Sequence, residues 1–430
     1  MAPPSLWLYR ALYRGGLAAA APFLWAKDRA TGKARPPLRA RLGHGAPELP
    51  PGGLWIQAVS VGETEIARRL LKELALRSPG LPVLLTATTA TGLALARKLE
   101  GGGVRVHPCP LDLARPVRRV LEAARPALLV LVETEIWPEM LHQAVSRGIP
   151  AAIVNARLSE GSFRRYRRVR ALLQPLLAPV AAVLARSDAD AERFAALGVP
   201  EDRITVTGNV KYDLEPDPEP LPWGERLAAW AGQRPVLVAG STMEGEEAMV
   251  LDALGGLPEE LRPFLVLAPR HPERFGEVAE LIERRGIPLA RRTALDEAPS
   301  APGAFLLDAM GELARAYNGA AVAFIGGSLV PTGGHNPLEP AVWGVPVLSG
   351  PHVHNFREVY AEMTAAGAAR IVPDPGRLGP MLRHWLEHPQ EARAAGAAGR
   401  AVVEANRGAT ARTVERLLEI GPPRGSVSRS

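Results

Sequence analysis

The chain has 430 residues, of which 47% are hydrophobic and 22% charged, as in a globular protein with a sizeable core and two or three domains. The net charge of +6 comes from residues 1–50, where eight basic residues outnumber two acids, and the remaining chain is balanced. A balanced body argues against a nucleic-acid-binding protein, which would carry a basic face on its folded domain. The single cysteine, Cys109, excludes a disulfide framework.

The first segment of the chain, residues 5–26, is apolar and contains tryptophan and tyrosine, and residues 27–41 then carry six of the eight basic residues. Its longest uncharged stretch has only 12 residues, whereas a spanning helix needs roughly 17–25. This pattern predicts an arm over residues 1–45 that associates with an anionic membrane surface through residues 1–41. A first helix of the core and a cleaved signal peptide are the two alternatives.

Short apolar runs alternate with helical stretches from residue 54 onward, which is typical of parallel strands buried on both faces. The alternation stops where four prolines within residues 216–222 predict a stiff, extended linker, and it then begins again. We therefore predict two doubly wound α/β domains that bind ligands in the crevice between them, at the carboxyl ends of the strands. The predicted parts are the arm at 1–45, a first domain at 46–212, the linker at 213–234, a second domain at 235–420 whose last helix is able to cross back, and a frayed tail at 421–430.

The most informative segment is AFIGGSLVPTGGHNPLEPAVWGVPVLSG, residues 323–350, in which a strand is followed by two glycine pairs and a helix start. Asn336, Pro337 and Glu339 fit the cap, the first position and the third position of a helix, which by itself predicts a capping box. Two glycine pairs exceed what a cap requires, and a glycine-rich loop before a helix N-terminus is an anion site. We favour a nucleotide site in which Glu339 accepts hydrogen bonds from ribose hydroxyls.

Three further segments that follow predicted strands are candidates for binding a ligand in the same crevice. Residues 241–242, serine and threonine, precede a helix, where their hydroxyl and amide groups either bind phosphate or simply cap the helix. Arg270, His271 and Arg274 follow another strand, and arginine is well shaped for bidentate contact with phosphate. A solvated strand end is the alternative for these three. The turn at residues 310–312 is a weaker candidate for contact with a base or ribose.

Carboxylates also follow strands in the first half of the chain. Glu63 lies just past one strand, in or before the first helical turn, where an acid commonly only complements the helix dipole. Glu133 and Glu135 follow another strand, and Lys211 lies near the linker. Two carboxylates and a lysine that converge would make a general-base site, although spacing along the chain does not show convergence. The nine histidines have no metal-ligand spacing, so no metal site is predicted.

A basic helical stretch, ARLSEGSFRRYRRVR at residues 156–170, contains six arginines and one glutamate. A solvated helix face is the default interpretation of such a pattern. The alternative is recognition of a phosphorylated acceptor or of anionic lipid, because the stretch lies in the same half of the chain as the arm.

Together these segments resemble the Kdo (3-deoxy-D-manno-octulosonic acid) transferases of lipopolysaccharide synthesis, which are glycosyltransferases of GT-B architecture. The matching motifs occur in the family's order from about residue 55 to 356: AVSVGE, ETEIWP, NARLSEGS, TGNVKYD, GST, PRHPERF, MGEL, GGSLVPTGGHNPLEPA and GPHVHNF. The resemblance implies an α/β fold with two doubly wound, Rossmann-like domains facing a central cleft. It also implies a membrane-associated enzyme on the cytoplasmic face of the cell inner membrane.

The activity implied by this resemblance is transfer of Kdo from CMP-Kdo to a lipid A precursor, lipid IVA, with inversion at the anomeric carbon. By the same resemblance Glu63 is the general base, and Glu133 and Lys211 stabilise the transition state. The residues implied in CMP binding are Pro269, Arg270, Met310, Gly311, Glu312, Asn336, Pro337, Leu338 and Glu339. CMP-Kdo is a co-substrate, so no cofactor is implied, and no nucleic acid is expected as a partner. The alternatives are a sugar-nucleotide 2-epimerase of the same architecture and a non-enzymatic protein that binds anionic lipid.

Overall fold

The strands of the chain form two separate parallel sheets. In the computed structural model, which describes residues 3–31, 36–134 and 136–421, each sheet has seven strands. The first sheet contains β1 Leu54–Ala58, β2 Val83–Ala87, β3 Val104–Pro108, β4 Leu128–Val132, β5 Ala151–Ala156, β6 Ala182–Ala185 and β7 Ile204–Val206. The second contains β8 Val236–Thr242, β9 Phe264–Pro269, β10 Leu289–Arg291, β11 Ala304–Leu306, β12 Val322–Ile325, β13 Val347–Ser349 and β14 Ala369–Ile371. They belong to two compact units, residues 1–213 with 408–430, and residues 214–407.

Helices connect the strands in both units. They are α1 Pro4–Thr31, α2 Leu38–Arg41, α3 Val61–Arg77, α4 Ala90–Arg97, α5 Ala114–Ala124, α6 Pro138–Val145, α7 Glu160–Arg168, α8 Arg170–Leu177, α9 Asp188–Ala196, α10 Gly224–Ala231, α11 Glu246–Gly255, α12 Phe275–Arg284, α13 Leu313–Ala316, α14 Leu338–Ala341, α15 Arg357–Ala365, α16 Leu378–Glu387, α17 Pro389–Asn406 and α18 Ala409–Ile420. Four of them, α3, α4, α7 and α9, begin after a serine or threonine whose side chain accepts a first-turn N–H. Such caps satisfy amides that a helix cannot pair internally, so they mark where each helix starts.

Both sheets are doubly wound. The strand order is β3-β2-β1-β4-β5-β6-β7 in the first and β10-β11-β9-β8-β12-β13-β14 in the second. All neighbouring strands are parallel. The predicted α/β class with two doubly wound sheets is therefore confirmed.

Two hydrophobic cores cover the two faces of the first sheet. Trp55 and Leu129 belong to one core, and Leu54 and Leu128 belong to the other. Alternate residues of a strand point to opposite faces, so a strand covered on both sides requires a continuous apolar run. Leu417 of α18 joins the second of these cores, so the last helix of the chain completes the first unit.

Three strands, β3, β10 and β14, were not predicted from the sequence. Each lies at an edge of its sheet. β3 reads VRVHP and exposes Arg105, and the other two strands have only three residues each. An edge strand has a neighbour on one side only, so it needs no long apolar run. The apolar pattern therefore identifies the central strands and misses these three edge strands.

The predicted linker at residues 213–234 is not extended throughout. Its second half contains α10, and the buried Trp223 that precedes this helix has its ring centroid 4.7 Å from that of Phe305. This half of the predicted linker is therefore part of the second unit. The chain enters the first unit again at Gly408, so α18 lies in the first unit.

The arm contains one long helix, α1, whose beginning packs against the first unit. Leu6 is fully buried, and Arg10 donates two hydrogen bonds, of 2.7 and 2.8 Å, to the buried carboxylate of Glu139. The Tyr9 hydroxyl donates to Asp112 at 2.7 Å. Burial raises the pKa of Asp112 to about 6. These contacts make the start of α1 a structural part of the unit, with Arg10 committed to a protein carboxylate rather than to lipid.

The same helix also exposes apolar side chains. Trp7 is 65% exposed, Leu8 48% and Leu12 67%. None of the described helices is both long enough and apolar enough to cross a bilayer. Two basic residues of the arm, Lys33 and Arg35, lie outside the described residues, as does the predicted tail from residue 422 onward.

Candidate active site

Glu63 and Glu133 follow adjacent strands at the point where the first sheet changes its direction of winding. β1 and β4 are neighbours, yet β1 leads to β2 on one side and β4 leads to β5 on the other. The loops that follow β1 and β4 therefore diverge. In doubly wound sheets, this switch point at the carboxyl ends of the strands is where ligands bind.

Glu63 lies buried in the first turn of α3, and the preceding loop holds its carboxylate. Oε2 accepts the backbone N–H of Val59 at 2.6 Å, and Oε1 accepts the Ser60 hydroxyl at 3.2 Å. The Ser60 hydroxyl in turn accepts the N–H of Glu63 at 3.5 Å and caps the helix. Glu63 thus fixes the helix start through specific bonds, in addition to its favourable place in the helix dipole.

Glu133 and Lys211, which are far apart in the sequence, meet in the structure. Lys211 Nζ lies 3.7 Å from Glu133 Oε1. Glu133 has a φ of +64°, a left-handed conformation that costs a residue other than glycine about 1–3 kcal/mol. Such strain directly after a strand is typical of functional sites. Glu135, the other acid of this motif, lies outside the described residues.

The short helical turn that carries Lys211, Val210–Tyr212, is held from two directions. Arg69 of α3 donates to the carbonyl oxygens of its first two residues, at 2.7 and 3.0 Å. Asn155 Oδ1 in β5 accepts the first N–H of the turn at 3.0 Å. The helix that begins beside Glu63 and the strand next to β4 therefore both determine where Lys211 lies.

Asn155 was not identified from the sequence. It is fully buried, has a φ of +49°, and its Nδ2 has no hydrogen-bond partner. The available signal was an asparagine inside an otherwise apolar strand, because asparagine is rarely buried without a role. Asn155 is a positioning residue for Lys211.

The second sheet has an equivalent switch point between β8 and β12, where the glycine-rich loop begins. Glu246 of α11 is fully buried and accepts four backbone N–H groups. They come from Met243 and Gly327, at 2.9 and 2.6 Å from Oε2, and from Ser328 and Leu329, at 2.9 and 2.8 Å from Oε1. Successive amides of this kind form an anion site, and here a carboxylate of the protein occupies it. These loop amides therefore shape the loop and are not the ones that would bind phosphate.

Close packing also requires two glycines of this segment. A Cβ at Gly326 would lie 2.5 Å from the carbonyl oxygen of Ser241, and a Cβ at Gly350 would lie 2.2 Å from that of Ser328. Ser241 itself has a φ of +56°. Part of the glycine content thus serves contact between the ends of β8, β12 and β13 rather than contact with a ligand.

Two buried polar atoms near this switch point have no partner. They are Nε2 of His335, in the glycine-rich loop, and Oγ1 of Thr242, at the end of β8. Burial, together with the charges of Arg270 and His271, lowers the pKa of His335 to about 4. The imidazole is therefore neutral at pH 7. Unpaired buried polar atoms are rare in native proteins, and they indicate a place where a polar ligand group fits.

The basic residues after β9 divide into two roles. Pro269 is the last residue of β9, and the Arg270 side chain that follows is exposed. Arg274 instead donates to both oxygens of the buried Glu247, at 2.7 and 3.2 Å. Its guanidinium stabilises the fold at this strand end, which leaves Arg270 as the candidate for phosphate contact.

Glu312 also has its carboxylate bound within the second unit. Arg292 donates to both of its oxygens, at 2.8 and 2.9 Å, and Trp223 Nε1 donates at 2.6 Å. Although burial opposes it, these hydrogen bonds lower the pKa of Glu312. A ligand at this turn would meet the exposed Met310 side chain and the backbone at Gly311, which has a φ of +92°.

The predicted helix start in the glycine-rich segment is displaced by one residue. α14 begins at Leu338, so Pro337 rather than Asn336 occupies the cap position. Asn336 Oδ1 nevertheless accepts the N–H of Leu338 at 3.1 Å, and its Nδ2 donates to Glu339 Oε1 at 3.4 Å. The four residues therefore form one hydrogen-bonded turn.

Solved structures share this two-sheet fold. The UDP-GlcNAc 2-epimerase from Neisseria meningitidis bound to UDP-GlcNAc matches with a TM-score of 0.56, covering 85% of this chain and 100% of that chain, at 14% identity. Identity this low shows the fold alone. The fold of this chain is α/β with GT-B-like architecture.

Relatives that are similar in sequence show which activity the chain has. A 3-deoxy-D-manno-octulosonic acid transferase from Bordetella pertussis is 37% identical over 428 residues, 95% of this chain and 98% of the relative. One from Haemophilus influenzae is 36% identical over 378 residues, 87% of each chain. The family described as 3-Deoxy-D-manno-octulosonic-acid transferase (kdotransferase) matches residues 36–214.

The chain is thus a glycosyltransferase, and neither an epimerase nor a non-enzymatic lipid-binding protein. It belongs to the Kdo transferase family, as the resemblance of its motifs implied.

Proposed function

We propose that the chain transfers Kdo from CMP-Kdo to a lipid A precursor, lipid IVA, inverting the anomeric carbon with Glu63 as the general base. The observation that carries this proposal is the placement of Glu63 after β1 and of Glu133 after β4, on both sides of the first switch point, with Lys211 paired to Glu133. Membership of the family supports the donor and the acceptor.

In the proposed reaction, a hydroxyl of the acceptor attacks the anomeric carbon of Kdo. A bond forms from the hydroxyl oxygen to that carbon, the bond from the carbon to the phosphate oxygen breaks, and CMP leaves with the electron pair. Glu63 takes the hydroxyl proton. A single displacement of this kind inverts the anomeric carbon and forms no bond between sugar and enzyme.

The contacts of Glu63 favour its role as a base. The Val59 N–H and the Ser60 hydroxyl fix the carboxylate before any substrate arrives. A base that is already oriented loses little entropy when the hydroxyl approaches.

Glu133 and Lys211 are proposed to act on the charge that develops during transfer. Positive charge grows at the anomeric carbon as CMP departs, and a fixed carboxylate stabilises such charge in a site that excludes water. Lys211, 3.7 Å away, holds the Glu133 carboxylate in position.

The second unit is proposed to bind CMP. The exposed Arg270 would contact the phosphate, and the turn around Met310 and the start of α14 would contact the nucleoside. The unpartnered atoms of Thr242 and His335 lie near the same switch point and would complete the polar contacts. The Glu312 carboxylate would support this turn through Arg292.

Release of CMP provides a direct test of the proposed function. The full chain is incubated with CMP-Kdo, with and without tetraacylated lipid A precursor in detergent, and CMP is quantified. We expect release to depend on the acceptor. Release at the same rate without acceptor, or no release with it, would contradict the proposal.

Asn155→Ala is expected to lower kcat at least about tenfold while the KM for CMP-Kdo stays the same. The variant loses the acceptor of the Val210 N–H and so releases the turn that carries Lys211. Asn155→Asp keeps an acceptor oxygen and tolerates the positive φ, so it should recover part of the lost kcat. Equal loss in both variants, or a changed KM alone, would refute the positioning role.

The pKa of His335 provides a prediction about the donor site. NMR titration of the free protein should show its imidazole protonating near pH 4 instead of near 6.5. Because Arg270 contributes to this low value, bound CMP should raise the pKa by placing phosphate charge beside that arginine. The folded protein therefore binds fewer protons at His335 than the unfolded chain between pH 6.5 and 4, and the corresponding stability is lost as the pH falls through this range. An unchanged pKa with saturating CMP would place the phosphate elsewhere.

The exposed side chains of α1 are proposed to hold the enzyme on the cytoplasmic face of the inner membrane. Deleting residues 1–41 would also remove Arg10 and leave the buried Glu139 without its cation, so point substitutions are the sharper test. Trp7→Gln combined with Leu12→Gln should weaken binding to anionic phospholipid vesicles at least about tenfold in a sedimentation assay.

The matched control for that pair is Leu76→Gln. Leu76 is 70% exposed on α3 and lies outside the arm. It should leave vesicle binding unchanged. Full retention of the doubly substituted arm on vesicles would refute its role.

A further inference from the structure

A buried glutamine interrupts the apolar run of β1, one residue before the strand ends. Gln57 is fully buried, and the four other residues of the strand are apolar. Burying an amide is costly unless its donors and its acceptor are all paired. The packing of a central strand gives no reason for an amide at this position, so its hydrogen bonds decide what the residue does.

Four neighbours fix the direction in which the Gln57 amide points. Trp55 Nε1 donates to the Thr86 hydroxyl at 2.8 Å, and this hydroxyl in turn donates to Gln57 Oε1. The Nε2 group then faces two acceptors, the carbonyl oxygen of Ala58 at 3.0 Å and the Thr88 hydroxyl at 3.2 Å. A carbonyl oxygen only accepts, so it requires the Nε2 group on its side. The amide therefore has a single orientation.

The peptide group between Ala58 and Val59 connects this amide to the proposed base. Its carbonyl oxygen accepts the bond from Gln57, and its N–H donates to Glu63 Oε2 at 2.6 Å. Hydrogen bonds in a chain polarise one another, so a peptide group whose oxygen accepts a bond becomes a stronger donor through its N–H. The Gln57 amide, one peptide group and the Glu63 carboxylate are thus linked in series.

The other side of Val59 is held by the segment that follows β2. β1 and β2 are parallel neighbours with Gln57 opposite Thr86, so the loops after the two strands begin side by side. The carbonyl oxygen of Val59 accepts the N–H of Thr89 at 2.9 Å. Gln57 therefore fixes the peptide group before Val59, and the loop after β2 fixes the one that follows it.

We infer that Gln57 is a positioning residue for the base, which sets the direction and the strength of the Val59 N–H bond to Glu63. The inference rests on the proposed function. Gln57 is fully buried, so it acts on transfer without touching a substrate. Its whole effect on the rate should pass through Glu63, which distinguishes it from a residue that binds the acceptor or one that only stabilises the unit.

The first test is Gln57→Met, which keeps a side chain of similar length and removes the amide. We expect the kcat of Kdo transfer to fall at least about tenfold, because the carboxylate of the base loses its fixed direction. The KM for CMP-Kdo should stay the same. The matched control is Gln143→Met, which removes a buried amide from α6 of the same unit, where it donates to Glu139 at 2.6 Å. The control should keep the wild-type kcat, and equal losses in the two variants would contradict the inference.

A double-substitution cycle separates positioning from stability. Glu63→Gln removes the base, so adding Gln57→Met to that variant should leave the residual rate unchanged. A purely structural role would lower the rate by the same factor in either background. A further loss of that size in the Glu63→Gln background would therefore overturn the positioning role.

A second variant, Thr88→Val, addresses the possibility that Gln57→Met fails to fold. Thr88 is half-buried and valine keeps its shape, while the Gln57 amide loses one of its two acceptors. We expect kcat to fall about threefold in the wild-type background and not at all in the Glu63→Gln background. Normal kcat in a folded Gln57→Met, or in Thr88→Val where Gln57→Met is unfolded, would overturn the inference alone. No transfer by the wild-type chain would overturn the proposed function and the inference with it.

Discussion

Glu63→Gln is expected to lower the kcat of Kdo transfer by about 10²–10⁴-fold, the contribution typical of a general base. Glutamine keeps the size of the side chain, and its carbonyl oxygen is able to accept the Val59 N–H that now binds Oε2 at 2.6 Å. It has almost no basicity, so the acceptor hydroxyl keeps its proton. Affinity for CMP should change little, because the proposed CMP residues lie in the second unit and Glu63 in the first.

The control for this variant is Glu65→Gln, two residues further along α3. Glu65 has a side chain that is 41% exposed and makes an ion pair with Arg68 at 2.7 Å, so its loss should have little effect on kcat or on stability. The unfolding free energy of Glu63→Gln should fall by about 1 kcal/mol at most, as for a weakened helix cap. Near-normal kcat in this variant would refute the assignment of the base.

Glu246→Ala is expected to have the second-largest effect, through the donor site. Alanine leaves the four N–H groups of Met243, Gly327, Ser328 and Leu329 without their acceptor. Each orphaned buried donor costs about 1–3 kcal/mol, so the loop should lose at least about 4 kcal/mol of local stability. Amide hydrogen exchange at residues 327–329 should accelerate about 10³-fold, and affinity for CMP should fall with it.

A neighbouring acid supplies the control. Glu244 lies two residues before Glu246 in the same motif and is exposed, so Glu244→Gln should leave both exchange and CMP affinity unchanged. If Glu246→Ala exchanges at the wild-type rate at residues 327–329, the carboxylate does not organise the loop.

The central strands were predictable from sequence for a clear physical reason. β1 and β4 are covered on both faces, so all their residues except Gln57 of β1 are apolar, and Leu54 and Trp55 belong to two different cores. The edge strands β3, β10 and β14 carry no such requirement and were missed. The helix α10 was not predicted, because the four prolines just before it indicate an extended linker.

The candidate site was predictable in part. Glu63, Glu133 and Lys211 were identified from sequence motifs. The doubly wound strand order explains why Glu63 and Glu133 follow adjacent strands. Glu246 and Asn155 were missed because each acts through bonds to backbone groups that are distant in sequence, 81 residues from Glu246 to Gly327 and 55 from Asn155 to Val210. No local pattern reveals such partners.

The structure also revises the role of one of the basic residues at the start of the chain. Arg10 is committed to Glu139, whereas the exposed Trp7, Leu8 and Leu12 offer an apolar contact surface. The membrane association proposed for this arm would therefore depend on exposed apolar side chains as well as on positive charge.

Mass spectrometry of the acceptor lipid is the most direct measurement of Kdo transfer. The full chain is mixed with CMP-Kdo and tetraacylated lipid A precursor, and the lipid mass is compared between the wild type and Glu63→Gln. We expect the wild-type product to gain the mass of one or more Kdo residues and the Glu63→Gln sample to remain at the starting mass over the same time. An unmodified lipid with the wild-type chain, or equal conversion by both proteins, would contradict Kdo transfer catalysed by Glu63.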